Sequence, residues 1–196
     1  ATIKRYWLRF LFTTAPKADI IIKKALTIKI LKGTGMTLET RKIAIQDTYG
    51  DRFQHCWGCG PKNELGLHLK TYPNLDGKEC ITRIRPESHY TGGVPANLFG
   101  GMIAMIFDCH GTASAAWFAH QEKGLDLTQD TVIGRFITAR LEVDYQSPTP
   151  IDQEIIVTSR LEELGARKAI IVMEMSVAGQ PRAKARMVAV AVKDHM

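Results

Sequence analysis

The sequence predicts an α+β fold in which one long buried helix is wrapped by a curved antiparallel sheet. Three observations carry that expectation. Residues 97–118 (NLFGGMIAMIFDCHGTASAAWF) are apolar on nearly every side when read at helical periodicity, and a helix of that kind is buried rather than half solvated. Two strand-like runs precede this segment and four follow it. Short turns join the strands within each group, which favours antiparallel pairing, and a lone apolar helix becomes buried only when the sheet curves around it.

Residues 1–35 hold Lys4, Arg5, Arg9, Lys17, Lys23, Lys24, Lys29 and Lys32 against Asp19 alone. They account for the chain's formal charge of +6, and the remainder is close to neutral. The basic balance therefore says little about what the main domain binds, and no nucleic-acid partner is expected. This leader mixes aromatic, branched apolar and basic residues, so three readings compete: an amphipathic segment touching a membrane or nucleic acid, a transit-type presequence, or an ill-defined extension. The last is preferred, with the main domain covering residues 36–196 from Met36 onward, and membrane contact by the extension is the lesser reading.

From Met36, TLETRKIAIQDTYG is expected to form a short helix ending at Gly50, followed by a loop rich in Gly, Pro and Asn over residues 51–66. Residues 67–72 and 79–85 read as a hairpin around the turn signal Pro73, Asn74, Asp76, Gly77. Asn97 is the candidate N-cap of the long helix. Residues 132–145 alternate around Ile137, Ala139, Leu141 and Val143, and residues 154–164, 168–177 and 184–192 supply three further strands, with turns at Gly165-Ala166 and Gly179-Gln180-Pro181. The best candidate for a membrane span, residues 98–119, is interrupted by Asp108 and His110. Four cysteines, at 56, 59, 80 and 109, make no disulfide framework in a domain of this size, which points to a reducing, cytoplasmic setting.

Asp108 is the residue that asks for a function. On a helix of about 100° per residue it shares a stripe with Gly100, Ala104, Gly111 and Ala115, so the face bearing the acid admits a close neighbour. A carboxylate on a buried helix is costly unless it is paired or used. The pair Gly100-Gly101 opens the same helix, where unpaired amides and the positive end of the helix dipole suit an oxyanion. Eight residues separate Gly100 from Asp108, about 12 Å along the axis. One helix cannot bring both to one reacting centre, whereas two antiparallel helices across a two-fold axis can. A homodimer with two shared sites follows.

Cys56-Trp57-Gly58-Cys59 has the spacing of half a zinc site, but the other cysteines stand apart in the sequence and only scattered histidines (His55, His68, His89) are at hand, so a structural turn without metal is expected. His110 points about 200° from Asp108 and reads as a packed histidine. Arg182, Lys184 and Arg186 share one face of the last strand, either as a solvated sheet face or as partners for phosphates.

Taken together, Cys56 to Gly60 with Asn63 and Gly66-Leu67, Phe99-Gly100-Gly101 with Asp108, and LEVDYQSP over 141–148 resemble the hotdog-fold acyl-CoA thioesterases of the PaaI type across residues 52–192. The resemblance implies a hotdog fold and hydrolysis of an acyl-CoA thioester without a cofactor, in a homodimer or a dimer of dimers. It assigns the oxyanion contact to Gly100 or Gly101, and the general base or nucleophile to Asp108 of the partner subunit. It also implies a hydroxyl that assists the water, which falls on Thr138. Asn97, Phe99, His89, Arg182, Lys184 and Arg186 are the expected substrate contacts. The family commonly has His where this chain has Phe99, and Asn97 or His89 would have to substitute for it. That departure keeps a non-catalytic acyl-thioester binding protein as the alternative, with a dehydratase relying on His89 as a third.

Overall fold

A computed structural model describes residues 39–193 of the chain. The expectations for residues 1–35 and for Met36 fall outside them. The described residues hold one α-helix, α1 (Gly100–Gln121), and six strands: β1 (Tyr72–Pro73), β2 (Glu79–Ile84), β3 (Phe136–Tyr145), β4 (Ile155–Leu164), β5 (Lys168–Val177) and β6 (Gln180–Ala191). The strands form one antiparallel sheet in the order β1-β2-β4-β5-β6-β3. Strands β2 to β6 all contact α1, which is the hotdog arrangement.

The core lies between α1 and the concave face. Ile155 and Val157 of β4, Ile171, Met173 and Met175 of β5, and Ala183, Met187 and Ala189 of β6 are buried against the helix. Alanines on the inner face of β6 leave room for α1 to come close, and Gly111 completes the fit: a Cβ there would stand 2.7 Å from Met187 Sδ and 3.0 Å from Met173 Sδ. Most polar side chains buried beside the helix find partners there, since a buried group without one loses its bonds to water and gains nothing in return, while His110 Nε2 is left without one. Ser114 Oγ and Ser159 Oγ share a hydrogen bond of 2.7 Å, and Trp117 Nε1 donates to the Gly77 carbonyl at 3.0 Å.

Three local expectations are corrected. Residues 41–50 form no α-helix. Arg41 and Ile45 instead donate their amides to the carbonyls of Pro73 and Thr71 (2.8 and 2.9 Å), so this segment runs beside the hairpin and makes only a 3-10 turn at Ile45–Thr48. The first hairpin strand begins at Tyr72 rather than residue 67, because Leu67 and Leu69 donate to the carbonyls of Trp57 and Gly58 at 3.0 Å each, and His68 takes a positive φ of 50°. Those bonds commit residues 67–69 to the cysteine loop. The strand expected from residue 132 starts at Phe136, since the Ile133 amide goes to the Thr48 carbonyl at 3.0 Å.

The alternation of β3 is also shifted. A bulge lies between Thr138 and Arg140 in the pairing of β3 with β6. One extra residue reverses the parity of a strand, so Phe136 and Thr138 face inward on the same side as Leu141 and Val143. Ile137, expected inside, is 49% exposed. None of the helices in the described residues is long and apolar enough to cross a membrane.

Candidate active site

Asp108 sits half-buried on the third turn of α1. Thr138 Oγ1 donates to Asp108 Oδ1 at 2.5 Å, bridging helix and sheet. The bulge makes this contact, for without it residue 138 would face away from the helix. Of the small-residue stripe, Gly111 and Ala115 are closed off by the chain's own sheet, while Gly100, Ala104 and Asp108 remain half-buried. The face open to a neighbour is therefore only the first half of the helix.

The helix start is built differently from the expectation. Its N-cap is Phe99, without a side-chain cap, and Asn97 lies three residues before the first helical residue. Asn97 instead accepts the Gly92 amide on its carbonyl at 2.8 Å and forms an isolated bridge with Pro150. No acceptor among the described residues meets the amides of Gly100 and Gly101. Tyr145 Oη donates to the Gly100 carbonyl at 3.0 Å and its ring lies against the glycine. The Phe99 ring, 54% exposed, folds over Gly101, where a Cβ would stand 2.3 Å from Phe99 Cζ.

Asn97, Phe99, Gly100 and Tyr145 border an open groove of about 530 Å³. One wall is Gly92 to Val94 with Asn97 to Gly100, and the other is Tyr145 to Thr149. Asp108 does not line the groove. Within one chain the free amides and the acid thus occupy different places on α1.

The other expected contacts divide. His89 is exposed in a 3-10 turn, its Nδ1 3.5 Å from Glu87 and its ring centroid 3.9 Å from that of Tyr90, and it does not line the groove. Arg182 braces a groove wall, donating from Nη1 to the Pro148 carbonyl at 3.1 Å and to Ser147 Oγ at 3.4 Å. Lys184 and Arg186 do not reach the groove. Glu174 of β5 lies 3.7 Å from Lys184 Nζ, and Glu162 of β4, one strand further on, lies 2.7 Å from Arg186 Nε, so both charges are engaged by carboxylates of the same sheet. His110 is fully buried, shares a 2.8 Å hydrogen bond with Thr82 Oγ1, and is pushed down to about 3 by burial, which keeps it neutral.

A second cluster was not anticipated. The thiols of Cys56, Cys59 and Cys109 lie within 4.8 Å of one another, so Cys109 of α1 joins the loop pair from which it is remote in sequence. Hydrogen bonds from Cys109 and then Cys59 hold Cys56 far below the usual thiol range, against the effect of burial. Cys109 acts to lower Cys59, but Cys56 and burial outweigh it and push Cys59 up to about 12. Cys56, then Cys59 and burial, raise Cys109.

Asp108, Thr138 and the glycine pair are separate motifs in the sequence, and Tyr145 and the Ser147-Pro148 wall escape notice there as groove residues. The signal for Tyr145 lay in LEVDYQSP, where it reads only as the end of a strand.

A long helix with an inward acid, opened by two glycines and wrapped by an antiparallel sheet, defines the class as hotdog. The chain belongs to the thioesterase-like superfamily, whose family model matches residues 97–195. A thioesterase superfamily protein from Shewanella loihica PV-4 is 31% identical, with 73% of this chain and 98% of that chain covered and a TM-score of 0.53. Two more distant structures share the fold. One is another thioesterase superfamily protein (20% identity, 92% of this chain and 86% of that chain, TM-score 0.55), and the other is AziG of S. sahachiroi (15%, 65% and 93%, TM-score 0.52). Among curated proteins none matches the chain.

Proposed function

We propose that the protein hydrolyses an acyl-CoA thioester to the free acid and coenzyme A, at two sites shared across a homodimer. The observation that carries this reading is the separation on α1 of an Asp108 carboxylate held by Thr138 from the unpartnered amides of Gly100 and Gly101. Two antiparallel copies of α1, meeting along the half-buried stripe Gly100, Ala104 and Asp108, bring the acid of one to the amides of the other.

In that arrangement the thioester lies in the groove with its carbonyl oxygen toward the Gly100 and Gly101 amides. These stabilise the negative charge that develops on the oxygen as the carbonyl is attacked. Asp108 of the facing subunit takes a proton from the attacking water, or attacks the carbonyl carbon itself to give a mixed anhydride that a water molecule then hydrolyses, releasing the acid and regenerating the carboxylate. Thr138 holds one carboxylate oxygen and so orients the other. The carbon–sulfur bond breaks as the tetrahedral intermediate collapses, and the coenzyme thiolate leaves and is protonated. Of the basic row, Arg182 is assigned the coenzyme's phosphates, because its guanidinium braces the Ser147-Pro148 wall of the groove whereas Lys184 and Arg186 lie away from it.

The test is thiol release from a panel of short, medium, long and aromatic acyl-CoA substrates. Asp108→Asn should reduce turnover by at least about 100-fold, the usual weight of a positioned base, with the assembly and fold unchanged. Unchanged turnover removes Asp108 from the mechanism. A second reading keeps the fold and binds acyl thioesters without cleaving them, and Phe99 in the position where the family commonly has His favours it. Tight binding with no thiol released from any substrate would establish that second reading.

A further inference from the structure

We propose that Cys56, Cys59 and Cys109 form a binding site for a thiophilic divalent cation, Zn²⁺, which clamps the 56–60 loop to α1 one residue beyond Asp108. The sulfurs are already spaced for it. Cys56 Sγ and Cys109 Sγ are 3.8 Å apart, and all three sulfurs lie within 4.8 Å of one another. A tetrahedral zinc ion with Zn–S bonds of about 2.3 Å holds its sulfurs about 3.8 Å apart. A disulfide would need them at about 2.05 Å, and all four cysteines of the chain are free.

The loop is shaped to bring its two thiols against the helix. A Cβ on Gly58 would stand 2.5 Å from Cys109 Sγ and 2.7 Å from Met105 Sδ, so only glycine lets the loop press onto α1 there. The Gly60 amide closes the turn on the Cys56 carbonyl at 2.8 Å, and a Cβ on Gly60 would stand 2.4 Å from both the Cys56 amide nitrogen and the Gln54 carbonyl. Two glycines are thus committed to holding two cysteines beside a third. Simple packing of a turn needs no such convergence of thiols.

Charge points the same way. Three thiolates around a divalent cation leave one net negative charge. Arg135 is half-buried, stands within electrostatic reach of all three cysteines, and has no carboxylate partner among the described residues. Its guanidinium donates to Tyr49 Oη at 3.2 Å and lies 4.7 Å over the Tyr49 ring. A half-buried cation without an acidic partner is costly, and the anionic metal–thiolate centre supplies one. Met105 Sδ, 4.0 Å from Cys109 Sγ, and water are the available fourth ligands. The site stands independently of the catalytic reading, because none of its thiols is assigned a catalytic role.

The experiment uses the full chain, purified reduced and stripped of metal, then titrated with Zn²⁺ against a chromophoric chelator and, separately, with Co²⁺. One Zn²⁺ per chain is expected, with a thiolate-to-cobalt charge-transfer band and zinc-dependent protection of Cys56, the half-buried thiol, from a thiol reagent. Cys56→Ser, at the half-buried position, should keep the wild-type circular dichroism, lose at least about 100-fold in metal affinity and weaken the cobalt band. Cys80→Ser, buried outside the cluster, should bind as the wild type does. Less than a tenth of an equivalent of Zn²⁺ bound, or a Cys56 thiol equally reactive with and without Zn²⁺, would overturn the proposal. So would a cobalt band unchanged in Cys56→Ser, or a cluster that refuses Zn²⁺ and instead forms a disulfide between Cys56 and either Cys59 or Cys109 on mild oxidation.

Discussion

Thr138 Oγ1 donates to Asp108 Oδ1 across 2.5 Å, and the two residues come from elements 30 positions apart in sequence. A hydrogen bond to a charged acceptor contributes about 1.5–3 kcal/mol, which corresponds to about 10- to 100-fold in rate if it is fully expressed in the transition state. Thr138→Val should therefore lower kcat by about that factor and leave KM nearly unchanged, and Thr138→Ser should recover most of the loss. A Val variant as active as the wild type would show that the contact only secures the strand.

The proposed sharing of sites across a homodimer requires that inactive subunits complement one another. Asp108→Ala removes the acid, and Gly100→Pro removes an amide from the opposite half-site. Mixed and re-equilibrated, the two inactive proteins should regain activity, because the heterodimer has one site free of both substitutions. The measurement is thiol release against mixing ratio. A flat line at background, with heterodimers demonstrated by mass, removes the shared-site geometry.

Phe99 and Gly101 are coupled through a close approach. Gly101→Ala places a methyl 2.3 Å from Phe99 Cζ, so the ring must leave the helix start. Overpacking of this kind costs about 1–3 kcal/mol, although an exposed ring can relax part of it. The Gly101→Ala variant should lose several-fold in kcat/KM, and adding Phe99→Ala should restore part of it. The double-mutant cycle is then non-additive by about 0.5–3 kcal/mol. Strict additivity would mean that the ring does not govern the glycine amide.

His110 gives the fold a pH dependence of defined sign. Its pKa is about 3 in the folded protein because of burial, against about 6.5 in the unfolded chain. The unfolded state therefore binds the extra proton first as pH falls. This group takes nothing from stability above pH about 6.5, and below that it removes up to about 1.4 kcal/mol per pH unit down to pH about 3. Urea unfolding at pH 7, 6 and 5 should show that slope in the wild type and a shallower one in His110→Leu. Equal slopes in the two proteins would fix another group as the titrating one.

Much of this architecture was legible because it rests on periodicity. The apolar run around Asp108 had to be a buried helix, and the spacing of β4 and β5 was readable to within a residue. Local pairing choices were not. Residues 67–71 look like a strand, yet the carbonyls of Trp57 and Gly58 take the amides of Leu67 and Leu69. Periodicity gives no warning of such competition between partners. The bulge in β3 was equally hidden, since Ile137 and Ala139 continue the alternation of Leu141 and Val143 in the sequence while the extra residue turns Thr138 inward instead. Thr138 was reached through family resemblance, and physical pattern alone would have faced it outward. Cys109 stands 50 residues beyond Cys59, and only the packing of loop on helix brings their thiols together.

The two ends of the sheet are unequal. At one end lies β1, two residues long and closed by Pro73; at the other lies β3, ten residues long. A chain that adds strands end to end needs a receptive edge on both sides, as fibres do. Here the short proline-bearing edge offers almost nothing to pair with. Any edge-to-edge pairing through β3 must therefore meet another β3, and it stops at two copies instead of propagating into a filament.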